Sequence, residues 1–277
     1  MIKDMILNLE HDISRDNARD YAIALAGALN AHLAGIAFVD GTTNLVSLVA
    51  ELSSVQTADL LTAEQEVARN SIERYEAAVK GRRLSIEHQL VTQSFVGAST
   101  RFSAMARCYD LSVIMQSGNE NCFNNDKIIE STLFDSGRPV LVVPYIQTGD
   151  FKLDRLVCCW DGSRAAARAI NDAIPLLKRS TVVELLIVAT GRTVDDEMDR
   201  GVDISSHLGR HGIKAEVEIT RAEDIDVADV IMSRVDDLSA DMIIMGGYGH
   251  SRLRELMLGG VTRSILGTMT VPVLMSH

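Results

Sequence analysis

Gly246, Gly249 and Gly259 punctuate the run Ile243-Ile244-Met245-Gly246-Gly247-Tyr248-Gly249 and the later Gly259-Gly260-Val261-Thr262. A phosphate needs several main-chain N–H groups converging on it, and a Cβ at those positions would hold the backbone off. A buried strand ending in a glycine turn, then a tether, then a helix start, supplies that access together with a positive dipole end. Two unrelated turns would place glycines here as well, since glycine marks loops of many kinds. No Gly-Lys-Ser or Gly-Lys-Thr occurs in the chain, which removes the P-loop. Arg252 stands where a dinucleotide fingerprint needs glycine, which removes that motif too.

Other residues could serve the same place. Asp161 follows a strand-like run, so its carboxylate lies on the sheet edge of the glycine turn. There it either accepts hydrogen bonds from a ligand or caps the helix that Ser163 helps to start. Trp160, the sole tryptophan, either stacks on a ligand ring or packs on the adjoining helix. His250 directly follows Gly249 and is the stronger candidate for phosphate oxygens. Arg252 and Arg254, in the same tether, read as solvated loop charge. No cysteine or second histidine stands at metal-ligand spacing from His250. The four cysteines, Cys108, Cys122, Cys158 and Cys159, form no C-x-x-C pair and read as structural thiols. Glu10-His11-Asp12 reads as strand neighbours facing opposite ways, not as an acid–base cluster.

The elements that must position these residues occur twice. In the first half, Met5-Ile6-Leu7 opens a strand ending near Glu10, and Ser14 is placed to cap a helix through Leu29. Strands follow at Ala34–Val39, Leu84–Val91, Leu111–Met115 and Pro139–Pro144, with helices at Thr57–Lys80, Phe102–Cys108 and Ile128–Leu133. Tyr145 to Leu153 reads as a linker. The order then restarts: strands Arg155–Cys159, Val182–Val188, Ile213–Ile219, Met242–Met245 and Val271–Met275 alternate with helices. Those helices start at Asp161-Gly162-Ser163, span about Asp195–Leu208 and Val227–Leu238, and end with Val261–Leu266. Three anchors match: Asp12-Ile13-Ser14-Arg15 with Asp161-Gly162-Ser163-Arg164, Val113-Ile114-Met115 with Ile243-Ile244-Met245, and Arg138-Pro139-Val140-Leu141 with Val271-Pro272-Val273-Leu274. The alternation predicts two tandem α/β domains, 1–146 and 153–277, each a five-stranded, mostly parallel sheet with helices on both faces. In such sheets ligands sit at the C-terminal strand edge, where the strand order switches. The first half has lost the glycine pattern. Gln116 replaces its first glycine, and Asp126 and Lys127 fall at the positions of Gly259 and Gly260. That half reads as structural or regulatory.

The glycine spacing resembles the nucleotide-binding motif of the universal stress protein family: Gly, two residues, Gly, nine residues, Gly, then Ser or Thr. Gly260 departs from it by standing where the hydroxyl residue is expected. Val261-Thr262 and the closing Val271-Pro272-Val273-Leu274 also resemble that family, and the likeness extends over nearly the whole chain as a tandem pair. It implies an adenine-nucleotide α-hydrolase-like fold that holds ATP or a related adenine nucleotide, with Mg²⁺, in the second domain. The implied contacts are Cys159, Trp160, Asp161, Val188, Met245, Gly246, Gly249, His250, Gly259, Gly260, Val261 and Thr262. Among them Cys159, Trp160 and Val188 would line the base, although Trp160 is bulkier than the small residue often found there. The resemblance also implies an intramolecular pseudo-dimer in which the fifth strands, Pro139–Val143 and Val271–Met275, pair, and it leaves room for a further homodimer.

Composition narrows the function classes. Apolar residues make up 47% and aromatics 4%, so the core is aliphatic, as suits a parallel sheet covered by helices. A net charge of −11 without an extended basic tract argues against a nucleic-acid or anionic-membrane binder. The N-terminus does not read as a signal peptide, and no run of about 18 apolar residues spans a membrane; a soluble cytoplasmic protein is expected. No catalytic base, nucleophile or metal cage stands out, so no catalytic residue is assigned and any ATP hydrolysis is expected to be slow. The alternative on the same fold is an interaction or dimerisation scaffold that binds no nucleotide. An adenylyl-transferring enzyme would need a histidine pair or lysine-rich loop that is missing.

Overall fold

The computed structural model describes residues 1–11, 16–39, 54–92, 97–118, 125–147, 151–189, 194–222, 225–248 and 260–277, with backbone alone for 54–61 and 194–200. The chain divides into two units, Ile2–Thr148 and Gly149–His277. In the first, β1 (Asp4–Asn8), α1 (Asn17–Leu29), β2 (His32–Val39), α2 (Ser54–Val79) and β3 (Ile86–Thr92) precede α3 (Ala98–Ala106), β4 (Leu111–Met115), α4 (Asn125–Asp135) and β5 (Val140–Val143). The second repeats the order: β6 (Arg155–Cys159), α5 (Arg164–Leu177), β7 (Val182–Ala189), α6 (Val194–Arg210), β8 (Ala215–Arg221), α7 (Val227–Leu238), β9 (Met242–Gly246), α8 (Gly260–Thr268) and β10 (Val273–Ser276).

Within each unit the strands lie in one order, β3-β2-β1-β4-β5 in the first and β8-β7-β6-β9-β10 in the second. Every pairing described within a unit is parallel. The order reverses between β1 and β4, and between β6 and β9, which creates a switch-point crevice at the C-terminal strand edge of each unit. Central strands such as Leu111–Met115 are buried along their length, because helices cover both faces and no residue has a wet side to point to. In the second unit α5 packs on β9 and β10 and α6 on β7 and β8, while α7 and α8 pack together.

Two further devices recur in both units. Asp110, just ahead of β4, accepts from the main-chain N–H groups of Lys3 (2.7 Å) and Asp4 (3.2 Å) at the start of β1. Asp241, just ahead of β9, does the same for Asp154 (2.7 Å) and Arg155 (2.9 Å). These carboxylates satisfy donors at the opening of the neighbouring strand, so register is set where pairing begins. Pro139 and Pro272 each offer a carbonyl to the strand alongside, to Ser112 N and Ile243 N. Having no N–H to give, each proline stands just ahead of its strand, and β10 therefore begins at Val273, not at Val271.

Several boundaries differ from the sequence reading. The cap of α1 is Asp16, whose side chain accepts from Arg19 N at 2.8 Å; Ser14 lies outside the described residues. β9 runs on through Gly246, which is a strand residue paired with Ser276 and not the opening of the turn. β1 stops at Asn8, so Glu10 is not on a strand, and its surroundings differ accordingly, as described below.

Asp16 is buried, and burial pushes its carboxyl from the ordinary 3.8 up to about 6, against the pull of the Arg19 N–H and guanidinium. A folded value above the unfolded one means that the native state takes up the proton more readily. The associated stability is whole below about pH 4 and is lost as pH rises through about 6. Asp16→Asn keeps an oxygen for the cap and removes the charge, so its stability is expected to be flat over that window. Urea midpoints of parent and variant across the window check this, and two parallel curves would count against it.

Candidate functional site

Nine positions that the sequence reading singled out come together in the second unit. Cys159, Trp160 and Asp161 at the end of β6, Val188 on β7, Met245 and Gly246 on β9, and Gly260, Val261 and Thr262 opening α8 all line one cavity. Its volume is ≈ 330 Å³, and it lies at the β6/β9 switch point. Gly249, His250 and Gly259 lie outside the described residues. The reading missed Ala166 of α5, Leu186 of β7, and Val227 and Ile231 of α7, which also line the cavity. The signals existed: Leu186 precedes Val188 by two on a strand, and Val227 and Ile231 are four apart on a helix.

The turn between β6 and α5 is built from three residues. Asp161 Oδ1 accepts from Ser163 N at 2.8 Å. Gly162 takes φ +75°, a conformation that a side chain would strain. Ser163 caps α5 by accepting from Ala166 N at 3.1 Å. Asp161 is thus an exposed carboxylate at the cavity rim with one oxygen committed to the local turn. The cap of α5 is therefore Ser163, and Asp161 serves the turn before it. Trp160 donates its main-chain N–H to Leu186 O at 2.9 Å. Its indole Nε1 is enclosed with no acceptor.

Gly246 is required by the helix beneath it. A Cβ there would stand 2.5 Å from Ala166 N, 2.7 Å from Ala165 C and 2.9 Å from Ala165 Cβ. These are atoms of the first turn of α5 that no rotamer change can move. Gly246 therefore lets strand and helix approach, a second demand on this glycine beside the phosphate access that the sequence reading gave it. Gly260 is the opposite case. Among the described residues nothing lies within 4 Å of a Cβ built on it, and it opens α8 on the exposed surface.

The turn after β9 is held from several sides. Tyr248 is a buried residue with φ +58°, a left-handed conformation that costs a non-glycine residue about 1 kcal/mol or more. Its N–H donates to Thr262 Oγ1 at 3.3 Å, tying the turn to α8. Gly247 N donates to Ser276 O at 2.9 Å, and His277 Nδ1 lies 3.0 Å from Gly247 O.

Behind the cavity, Glu184 and Arg234 form a paired fork, Nε to Oε1 at 2.8 Å and a terminal nitrogen to Oε2 at 2.6 Å. Glu184 shares the face of β7 that carries Leu186 and Val188. Arg234 continues the α7 stripe of Val227 and Ile231. The ion pair therefore seats α7 over β7 and fixes the apolar floor of the cavity. Cys159 is pushed up to about 12 by burial, with the charges of Asp161 and Glu184 adding to it. It stays a thiol near neutral pH.

At the crevice of the first unit, described side chains bond to one another and to the strand ends. Asn125, the first residue of α4, donates through Nδ2 to Glu10 Oε1 at 2.9 Å and to Met115 O at 3.1 Å, at the end of β4. Asn8, ending β1, also donates to Glu10 Oε1, at 3.1 Å. All three side chains are buried. Gln116 Oε1 accepts from Tyr145 N at 3.3 Å, and Tyr145 O accepts from Asn17 Nδ2 at 2.6 Å. Asp126 and Lys127 lie exposed on the first turn of α4; the residue that decides this crevice is Asn125. Glu10 is a buried acceptor within it.

Such a unit is a doubly wound α/β parallel sheet with a crevice at its switch point. Residues 152–277 match the family model described as the universal stress protein family. The chain is 28% identical over 158 residues to Universal stress protein Slr1230 of Synechocystis sp. (strain ATCC 27184 / PCC 6803 / Kazusa). That match takes in 54% of this chain and 50% of the relative, so the similarity spans half of the relative's length. A universal stress protein of Archaeoglobus fulgidus DSM 4304 superposes with a TM-score of 0.69 at 18% identity, over 97% of both chains. The functionally unknown protein PA1789 of Pseudomonas aeruginosa PAO1 superposes with a TM-score of 0.59 at 14% identity, over 99% of this chain and 92% of that one. At these identities the structures speak for the fold alone. No helix among the described residues is long and apolar enough to cross a membrane.

Proposed function

We propose that the second unit binds one adenine nucleotide, ATP or a close relative, and turns it over slowly or not at all. One observation carries this reading. Residues from four separate stretches of sequence, chosen by their likeness to a nucleotide motif, line a single cavity at the switch point. Leu186, Val188, Val227, Ile231 and Met245 offer apolar surface suited to a flat base. Asp161 at the rim offers an acceptor for hydroxyl or amine hydrogens. The start of α8 offers main-chain N–H groups and a dipole to phosphate, with no side chain at Gly260 to obstruct them. Among the described residues no group of three His, Cys, Asp or Glu side chains could hold a metal. Mg²⁺ would therefore arrive on the phosphates, with Asp161 the nearest protein carboxylate of the lining and water filling the remaining positions.

Calorimetric titration with ATP, ADP and AMP tests the proposal, with one site per chain as the expected result. No heat with any of the three would favour the scaffold reading of the same fold. Two equivalent sites would overturn the reading of the first half as structural or regulatory. The family's dimer-like joining of two such units, and any further homodimer, belong to the same proposal. A chain cut at a protease site placed within 148–150 should elute as one species.

Gly260→Ser is expected to tighten ATP several-fold to about tenfold, since one added hydrogen bond is worth on the order of 0.5–1.5 kcal/mol. Its effect on AMP should be smaller. Among the described residues the space around a Cβ at Gly260 is open, so they accept the serine. Weaker ATP binding than in the parent would show instead that the nucleotide needs the bare backbone there.

A further inference from the structure

We propose that His207, His211 and Asn171 form a binding site for one divalent transition-metal ion in the second unit, separate from the cavity. His207 stands in the last turn of α6, and His211, four residues on, directly follows the helix's last residue, Arg210, with the two rings against each other. His211 N donates to Leu208 O at 2.9 Å, which tightens that turn and holds the second ring against the first. The ring centroids are 4.9 Å apart with planes at 64°. A metal about 2.0–2.1 Å from an imidazole nitrogen lies roughly 3.1 Å from the ring centroid. Two imidazoles on one ion then have centroids roughly 4.4 Å apart at a right angle and roughly 5.1 Å at the tetrahedral angle. The observed pair falls between these limits.

The third donor comes from α5. Asn171 Oδ1 lies 3.2 Å from His207 Nε2. Ligand atoms on one ion stand about 2.9–3.4 Å apart over the same range of angles. Asn171 Nδ2 donates to Ala167 O at 2.8 Å, one turn back in its own helix. That bond turns the amide so that its oxygen faces the imidazole, as outer contacts of metal ligands commonly do. Without metal, Nε2–H of His207 donates to that oxygen; a metal ion replaces the proton.

Two imidazoles and one neutral oxygen select zinc, nickel or copper over magnesium or calcium, which want several charged oxygens. Leu208 stands beside His207 where a zinc hydrolase helix would carry its glutamate, so the site offers no general base. None of the three residues lines the nucleotide cavity; the site therefore stands or falls apart from the proposed function.

The test is a titration of the untagged chain with Ni²⁺, read by calorimetry and by melting temperature. One ion per chain is expected, with a rise in melting temperature, because the ligands converge only when α5 and α6 are folded together. His207→Ala and His211→Ala should each weaken binding by roughly tenfold or more, since each breaks the chelate. Asn171→Ala should weaken it several-fold, and each of these variants should lose most of the Ni²⁺-dependent rise. His88→Ala, which removes an exposed histidine of the first unit, should change nothing. Circular dichroism of each metal-free variant establishes that it is folded, and His207→Gln supplies a second variant at the first position. Equal Ni²⁺ affinity in the parent and in both histidine variants, or no stoichiometric binding in the parent, overturns the site.

Discussion

The ligand-free Gly246→Val chain is expected to unfold at a markedly lower urea concentration than the parent, with a loss of about 3 kcal/mol. The cause is the Cβ contact of 2.5 Å with Ala166 N and its neighbours at Ala165. Those atoms belong to a capped helix end, so β9 and α5 must move apart, and β9 is held on both sides by β6 and β10. Gly246→Ala should show the same effect, reduced, because the offending atom is the Cβ itself. If Gly246→Ala kept the parent's midpoint and lost only nucleotide affinity, this glycine would be serving the ligand and not the helix.

Arg234→Met is expected to cost about 3 kcal/mol, the low end for breaking a buried ion pair. Glu184 has only 7% of its side chain exposed, and the variant leaves its carboxylate without its fork. Arg234 is 31% exposed, so water can reach part of the vacated space, which holds the loss to that end of the range. Glu218, on the neighbouring strand, is a second carboxylate near Arg234, at 3.8 Å, and the charge of Asp237 acts on Arg234 as well. Adding Glu184→Met should bring stability back to within about 1 kcal/mol of the parent, because two apolar side chains replace a pair and leave no charge behind. Chemical unfolding of the two single variants and the double variant decides it; a double variant as unstable as Arg234→Met would reject the unpaired-charge account. The same variants should loosen the cavity floor, since Val227 and Ile231 ride on the helix that Arg234 seats.

The strands and their repetition were legible because a strand buried on both faces reads as a near-continuous apolar run, unbroken in Met242–Met245 and interrupted only by Ser112 in Leu111–Met115. The nine cavity residues were legible through spacing and resemblance, both properties of the linear chain. Contacts between distant positions left no such mark. Glu184 and Arg234 are 50 apart, and either alone looks like ordinary surface charge. Gly246 was rightly marked as constrained, but its partner is a helix start some 80 residues earlier, which no local pattern reveals. At the start of α1, two residues with good capping side chains, Ser14 and Asp16, stand close together, and local chemistry does not choose between them. Glu10 was misread because its strand was carried two residues too far; once β1 ends at Asn8, the carboxylate is free to turn inward toward Asn125.

The knot of amides around Glu10 has a consequence for how the two halves exchange matter with their surroundings. Amides attached to the chain are permanent tenants of the space they occupy. Their occupancy is one at every solute concentration, and they can neither be washed out nor be competed for. If the cavity at the β6/β9 switch point binds as proposed, its occupancy follows the supply of ligand, and so does the stability of the unit around it. On that proposal one chain carries the same architecture with a fixed occupant in one half and an exchangeable one in the other.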